Sequence, residues 1–110
     1  MAGMTPLTYQ ILLALADDDR HGYGIIKEIE DRAGPGSGPS TGALYLALQR
    51  MEGDGLIEES SRLRGPDDDA RRRYYGLTQR GRERAEQESI RLAALVGVAR
   101  DKDLLPGGAS

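Results

Sequence analysis

Apolar residues recur at helical spacing in four segments of this chain and alternate at strand spacing between the third and fourth. In residues 5–16, Leu7, Ile11 and Leu15 form one stripe, while Tyr9, Leu12, Leu13 and Ala16 add apolar surface on other sides. Thr5 suits a cap and Pro6 the first turn, where its missing N–H is not needed. A helix this apolar around its circumference is expected to be covered by more than one neighbour. Asp17, Asp18, Asp19 and Arg20 predict a turn, and His21 or its successor opens a second helix to about residue 33, with Ile25, Ile26 and Ile29 inward. Residues 34–39, with three glycines, two prolines and a serine, predict a loop.

Ser40 caps the third helix, which buries Leu44, Ala47, Leu48 and Met51 and turns Thr41, Tyr45, Gln49 and Arg50 largely outward. It stops on the glycines at 53 and 55. Residues 57–63 and 71–77 then predict two short strands joined by a turn-rich tip at 65–69, with Tyr75 and Leu77 on one face and Arg72 and Tyr74 on the other. Thr78 caps a last helix reaching about residue 100, in which Ala85, Ser89, Leu92, Val96 and Ala99 recur at spacings of four and three. Ile90, Ala93, Ala94, Leu95 and Val98 make its distal half apolar nearly all round, as in an association surface.

Composition removes several classes of chemistry. The 110 residues suit one domain with one modest core. Cysteine is absent and histidine occurs once, so no zinc ligand set, thiol nucleophile or catalytic triad can be assembled, and His21 is expected to act as a cap. The glycines at 34–38 lack the Gly-Lys-Ser/Thr ending of a phosphate cradle, and Asp67, Asp68 and Asp69 lack the spaced oxygens and distal glutamate of a calcium loop. No catalytic residue, cofactor or metal is expected. The longest apolar stretches, 11–16 and 92–99, fall far short of the ~20 residues of a membrane span, and no secretory leader is visible, so a cytoplasmic protein is expected. The net charge of −3 is unevenly spread, because residues 1–39 are acidic whereas 60–82 carry seven arginines against three aspartates. A basic stripe on an acidic protein suits local contact with nucleic acid. Gly42 points the same way: in a helix interior glycine costs roughly 1 kcal/mol against alanine, and what it permits is close backbone approach.

Helix, helix, helix, hairpin, helix is the order of a winged helix-turn-helix, and four motifs resemble the PadR-type transcriptional regulators over residues 5–88. They are residues 21–26 (His-Gly-Tyr-Gly-Ile-Ile), 40–45 (Ser-Thr-Gly-Ala-Leu-Tyr), 48–57 (Leu-Gln-Arg-Met-Glu-Gly-Asp-Gly-Leu-Ile) and 71–78 (Arg-Arg-Arg-Tyr-Tyr-Gly-Leu-Thr) with Gly81 and Arg82. The resemblance is to the compact branch with a single trailing helix. It implies a mainly α (α+β) fold: three N-terminal helices and a two-stranded hairpin wing over 1–80, a dimerisation helix over 81–105 and a flexible tail at 106–110.

The implied function is a homodimeric repressor on an inverted-repeat operator in double-stranded DNA. Ser40, Thr41 and Gly42 would enter the major groove, Tyr45 would bond phosphate, and His21 and Tyr23 would touch the backbone of the same half-site. Arg64, Arg71, Arg72 and Arg73 would place the wing on phosphate or along the minor groove, and Arg50 joins this set. Tyr9, Leu12, Ala85, Leu92, Leu95, Val96 and Ala99 would form the dimer interface. Thr41 stands where many relatives carry proline, and Leu46 and Gln49 where they often carry basic residues, which shifts weight from base reading to the wing. Some relatives hold aromatic effectors between subunits; without Trp or Phe, a small or absent effector pocket is expected here. The alternative is a winged-helix module for protein contact, which suits Leu46 and the acidic total but leaves the arginines without a use.

Overall fold

Each helix begins where a side chain takes up an N–H of its first turn. Thr5 accepts from Thr8 N–H at 3.0 Å and Ser40 from Ala43 N–H at 3.1 Å. His21 Nδ1 accepts from Gly24 N–H at 3.0 Å, and Thr78 Oγ1 from Gly81 N–H at 3.0 Å. The computed structural model describes residues 4–60 and 72–106. In chain order its elements are α1 (Pro6–Leu15), β1 (Arg20–His21), α2 (Gly22–Ala33), α3 (Thr41–Gly53), β2 (Ile57–Glu59), β3 (Tyr74–Leu77) and α4 (Gln79–Asp101). This is the winged helix expected, with one strand more than the hairpin.

The core gathers round α1, which packs against α2, α3, β3 and α4. Ile11, Leu12 and Ala14 are fully buried. Several neighbours therefore do cover this helix, but they belong to its own chain. That corrects the place given to Leu12 at a dimer surface: its side chain is enclosed at 0% exposure, and Ala85, at 9%, is likewise part of the core. Neither offers surface to a second copy. Ile25 and Ile29 of α2 and Leu44, Ala47, Leu48 and Met51 of α3 fill the same core, with Ile26 packed at its margin.

The sheet order is β1-β3-β2, all antiparallel. Arg20, expected in a turn, pairs with Tyr75, and His21 pairs with Tyr74 while also capping α2 at the helix start expected. Two residues carry no readable period, so β1 exists through its partner alone. On the other side Ile57, Glu58 and Glu59 pair with Leu77, Gly76 and Tyr75. Both strands are shorter than predicted, with Ser60, Arg72 and Arg73 outside them. As the central strand, β3 buries Tyr74 and Tyr75 alike.

The turn from α3 into β2 aligns the recognition and wing elements. Gly55 N–H bonds the Glu52 carbonyl at 3.1 Å and Leu56 N–H the Met51 carbonyl at 3.0 Å. Gly55 holds φ +77°, which glycine adopts without a side-chain penalty. The start of α4 rests on this turn: Thr78 Oγ1 donates to the Gly55 carbonyl at 2.6 Å, and Thr78 N–H to the Leu56 carbonyl at 3.1 Å. A β-carbon on Gly81 would stand 1.9 Å from the Leu56 carbonyl oxygen. Gly81→Ala must therefore move backbone, and is expected to cost about 1–3 kcal/mol in urea unfolding. Gly42→Ala, whose new methyl meets nothing within 4 Å, should be neutral or stabilising by up to ~1 kcal/mol.

Candidate nucleic-acid interface

The outer face of α3 is built by subtraction. Because Leu44, Ala47, Leu48 and Met51 point into the core, Thr41, Gly42, Tyr45, Leu46, Gln49 and Arg50 are left in solvent. Thr41 and Gly42 precede Tyr45 by four and three residues, so they share its side of the helix, and Gln49 extends the row. Tyr45 is 47% and Leu46 64% exposed. Arg50 is exposed too, but falls with Leu46 on the flank of that row. Ser40 spends its hydroxyl oxygen on the Ala43 N–H, and thus presents the first turn while serving as its cap.

The start of α2 lies against this row. Gly22 is buried, and a β-carbon there would sit 2.5 Å from Tyr45 Oη, so the phenol end of Tyr45 rests on the first turn of α2. One residue earlier, the His21 ring stacks with Tyr23 at a centroid distance of 6.4 Å and meets the Tyr74 ring edge-on at 5.2 Å. Tyr23 is 65% exposed.

His21 also ties this end of α2 to the wing root, with Nε2 3.2 Å from Arg72 Nη1. Nδ1 accepts the cap bond, so in the neutral ring Nε2 is the donor, and an anionic oxygen at this point would accept from it and from the Arg72 guanidinium. Burial pushes the Tyr75 hydroxyl above its usual pKa against the lowering effect of the Arg73 guanidinium, with Glu52 and Tyr45 adding to the rise.

His21, Tyr23, Tyr45, Arg72 and Arg73 are thus gathered at one edge with the exposed first turn of α3, whereas Arg64 and Arg71 lie outside the described residues. Sequence reasoning did not assign a role to Gly22, beneath Tyr45, or to Tyr74, beneath His21. The signal for Gly22 was its place in the 21–26 motif, as a glycine at a helix start.

The candidate association residues divide. Tyr9 is half-buried and its hydroxyl bonds Ser89 Oγ at 2.6 Å; Leu92 and Ala99 are half-buried; Leu95 and Val96 are 53% and 41% exposed. A groove of about 450 Å³ runs beside them, walled by Met4, Pro6, Tyr9, Leu13 and Leu92 with Arg32 at its rim. Among the described residues no group of three or more His, Cys, Asp or Glu could hold a metal ion, and no helix is long and apolar enough to cross a membrane.

The family model of the transcriptional regulator PadR-like family matches residues 11–87, well over half of the chain. A 37.1 kDa protein of transposon TN4556 from Streptomyces fradiae is 40% identical over 87 residues; these are 79% of this chain but only 23% of that protein, so the chain spans about a quarter of this relative. Among solved structures, a PadR family transcription regulator from hypervirulent Clostridium difficile aligns with a TM-score of 0.72 and 28% identity, over 88% of this chain and 97% of its own. A transcriptional regulator from Clostridium thermocellum gives 0.71 and 25% over 86% and 87%. Bacillus subtilis PadR in complex with operator DNA gives 0.66 and 22% over 78% and 48%, a likeness of fold. Fold, family model and the four motifs agree, and the chain belongs to the PadR-like family of transcriptional regulators.

Proposed function

We propose that the chain is a repressor that binds an inverted-repeat operator in double-stranded DNA as a homodimer, and so works in the cytoplasm. The observation that carries this reading is the exposed first turn of α3, whose Gly42 has nothing within 4 Å of a would-be β-carbon, set beside the His21–Arg72 donor pair. Small residues at a helix start admit close approach of a groove, and paired donors suit a phosphate. Residues 1–80 form the DNA-binding unit, with Ser40, Thr41 and Gly42 in the major groove. Tyr45, Tyr23 and His21 bind the backbone, and Arg72 and Arg73, with Arg64 and Arg71, bind along the wing. The Bacillus subtilis relative of this fold is a structure with operator DNA, which supports the same mode here.

Residues 81–105 supply dimerisation; of the tail expected at 106–110, residues 107–110 lie outside the described residues. Support comes from α4, a helix of 23 residues and about 35 Å whose distal half leaves Ile90, Leu95, Val96 and Val98 in solvent. Tyr9, Leu92 and Ala99 continue that surface toward α1.

Three outcomes are expected. In footprinting, the chain should protect two inverted half-sites ~34–36 Å apart, and Gly42→Val should keep the fold while losing at least about tenfold in operator affinity, ~1.4 kcal/mol. Normal operator binding by folded Gly42→Val would favour a protein-contact module instead. Arg72→Ala with Arg73→Ala should weaken binding to all duplexes alike and lower the salt slope by about one per lost phosphate contact in titrations at several salt concentrations. Leu95→Glu with Val96→Glu should give monomers in sedimentation; a dimer of unchanged affinity would remove α4 as the interface.

A further inference from the structure

We propose that Gly22 is a positioning residue for DNA binding, holding the Tyr45 hydroxyl against the start of α2 by leaving room for the end of its ring. The proposal rests on the DNA-binding reading above. A β-carbon on Gly22 would lie 2.5 Å from Tyr45 Oη, 2.8 Å from Cζ and 3.3 Å from Cε1, so the whole distal edge of the ring occupies the space of the missing side chain. No backbone requirement explains this glycine: its φ is not positive and it opens a 12-residue helix, where alanine is the better former. The relation runs in both directions, since Gly22 is buried while Tyr45 stays half in solvent.

The ring of Tyr45 therefore sits where α2 and α3 meet. Its hydroxyl is kept against the first turn of α2, the turn that His21 caps. A phosphate that reaches this turn meets a phenol already in place, so little side-chain freedom is lost on binding.

The atoms that an added methyl would strike are the far end of a flexible side chain. In Gly22→Ala the ring swings outward about χ1 and χ2 while the backbone keeps its course. The loss then falls on the DNA contact and leaves the fold intact. A residue that merely packed the α2–α3 junction would act in the opposite way.

A double-mutant cycle in the full chain separates these cases, using as probe a duplex selected from random-sequence DNA by the wild-type protein. Tyr45→Phe should weaken binding roughly tenfold to a hundredfold, the range for a hydrogen bond to a charged group, and Gly22→Ala should reach a similar loss while melting at or above the wild-type temperature. In a Tyr45→Ala background, Gly22→Ala should change affinity by less than about twofold, because the contested space is already empty. Unchanged affinity in Gly22→Ala, an equal loss with and without the Tyr45 ring, or an unfolded Gly22→Ala protein would each overturn the positioning role while the DNA reading stands. If the wild-type chain selects no duplex, the DNA reading fails, and the proposal with it.

Discussion

The backbone of Leu56 is the point through which the rest of the structure is aligned. Its N–H closes the end of α3 onto Met51, its carbonyl accepts from Thr78, and Gly81 approaches that carbonyl more closely than any side chain would permit. The end of α3, the first residue before β2 and the first turn of α4 are thereby fixed to one another within a few ångströms. Leu56 itself is buried. Backbone bonds withdrawn from water in this way hold geometry better than exposed side-chain pairs, because leaving either partner unmet costs about 1–3 kcal/mol. The angle between the outer face of α3 and the wing root is set here, some distance from either surface.

Charge is arranged to leave particular cations available. Arg20 lies 3.4 Å from Asp17 and 3.6 Å from Glu28, and Arg32 lies 3.2 Å from Glu28, so these basic residues of the N-terminal half meet carboxylates. Arg91 is likewise paired with Glu88, which lowers the acid's pKa and raises that of the guanidinium. Such exposed pairs add little to stability. The described wing arginines have different company: Arg72 faces an imidazole and Arg73 a phenol. Among the described residues neither is drawn against a carboxylate.

Much of this was legible in the sequence, and the failures share a cause. The caps at Thr5, Ser40 and Thr78 and the inner face of α3 could be read because each is settled within a few residues along the chain. Leu12 was misplaced because periodicity shows how much of a helix is apolar, not whether its own chain or another covers it. Ser89 belonged to the expected seam on α4, yet its hydroxyl is held by Tyr9 across 80 residues. β1 was missed since two residues become a strand only when Tyr74 and Tyr75 arrive from more than fifty positions away. Gly22 was seen as part of a motif, but its reason lies in a ring 23 residues further on.

The two residues of β1 have a mechanical consequence. Arg20 and His21 pair with the wing strand, and His21 then caps α2 without an intervening turn. The wing root and the leading end of α2 are coupled like two arms of one lever. A force that lifts β3 lifts the start of α2 with it, and the ring of Tyr45 follows because it leans on Gly22. Fit to a surface is therefore adjusted by tilting the whole chain, since these arms have little freedom to flex against one another.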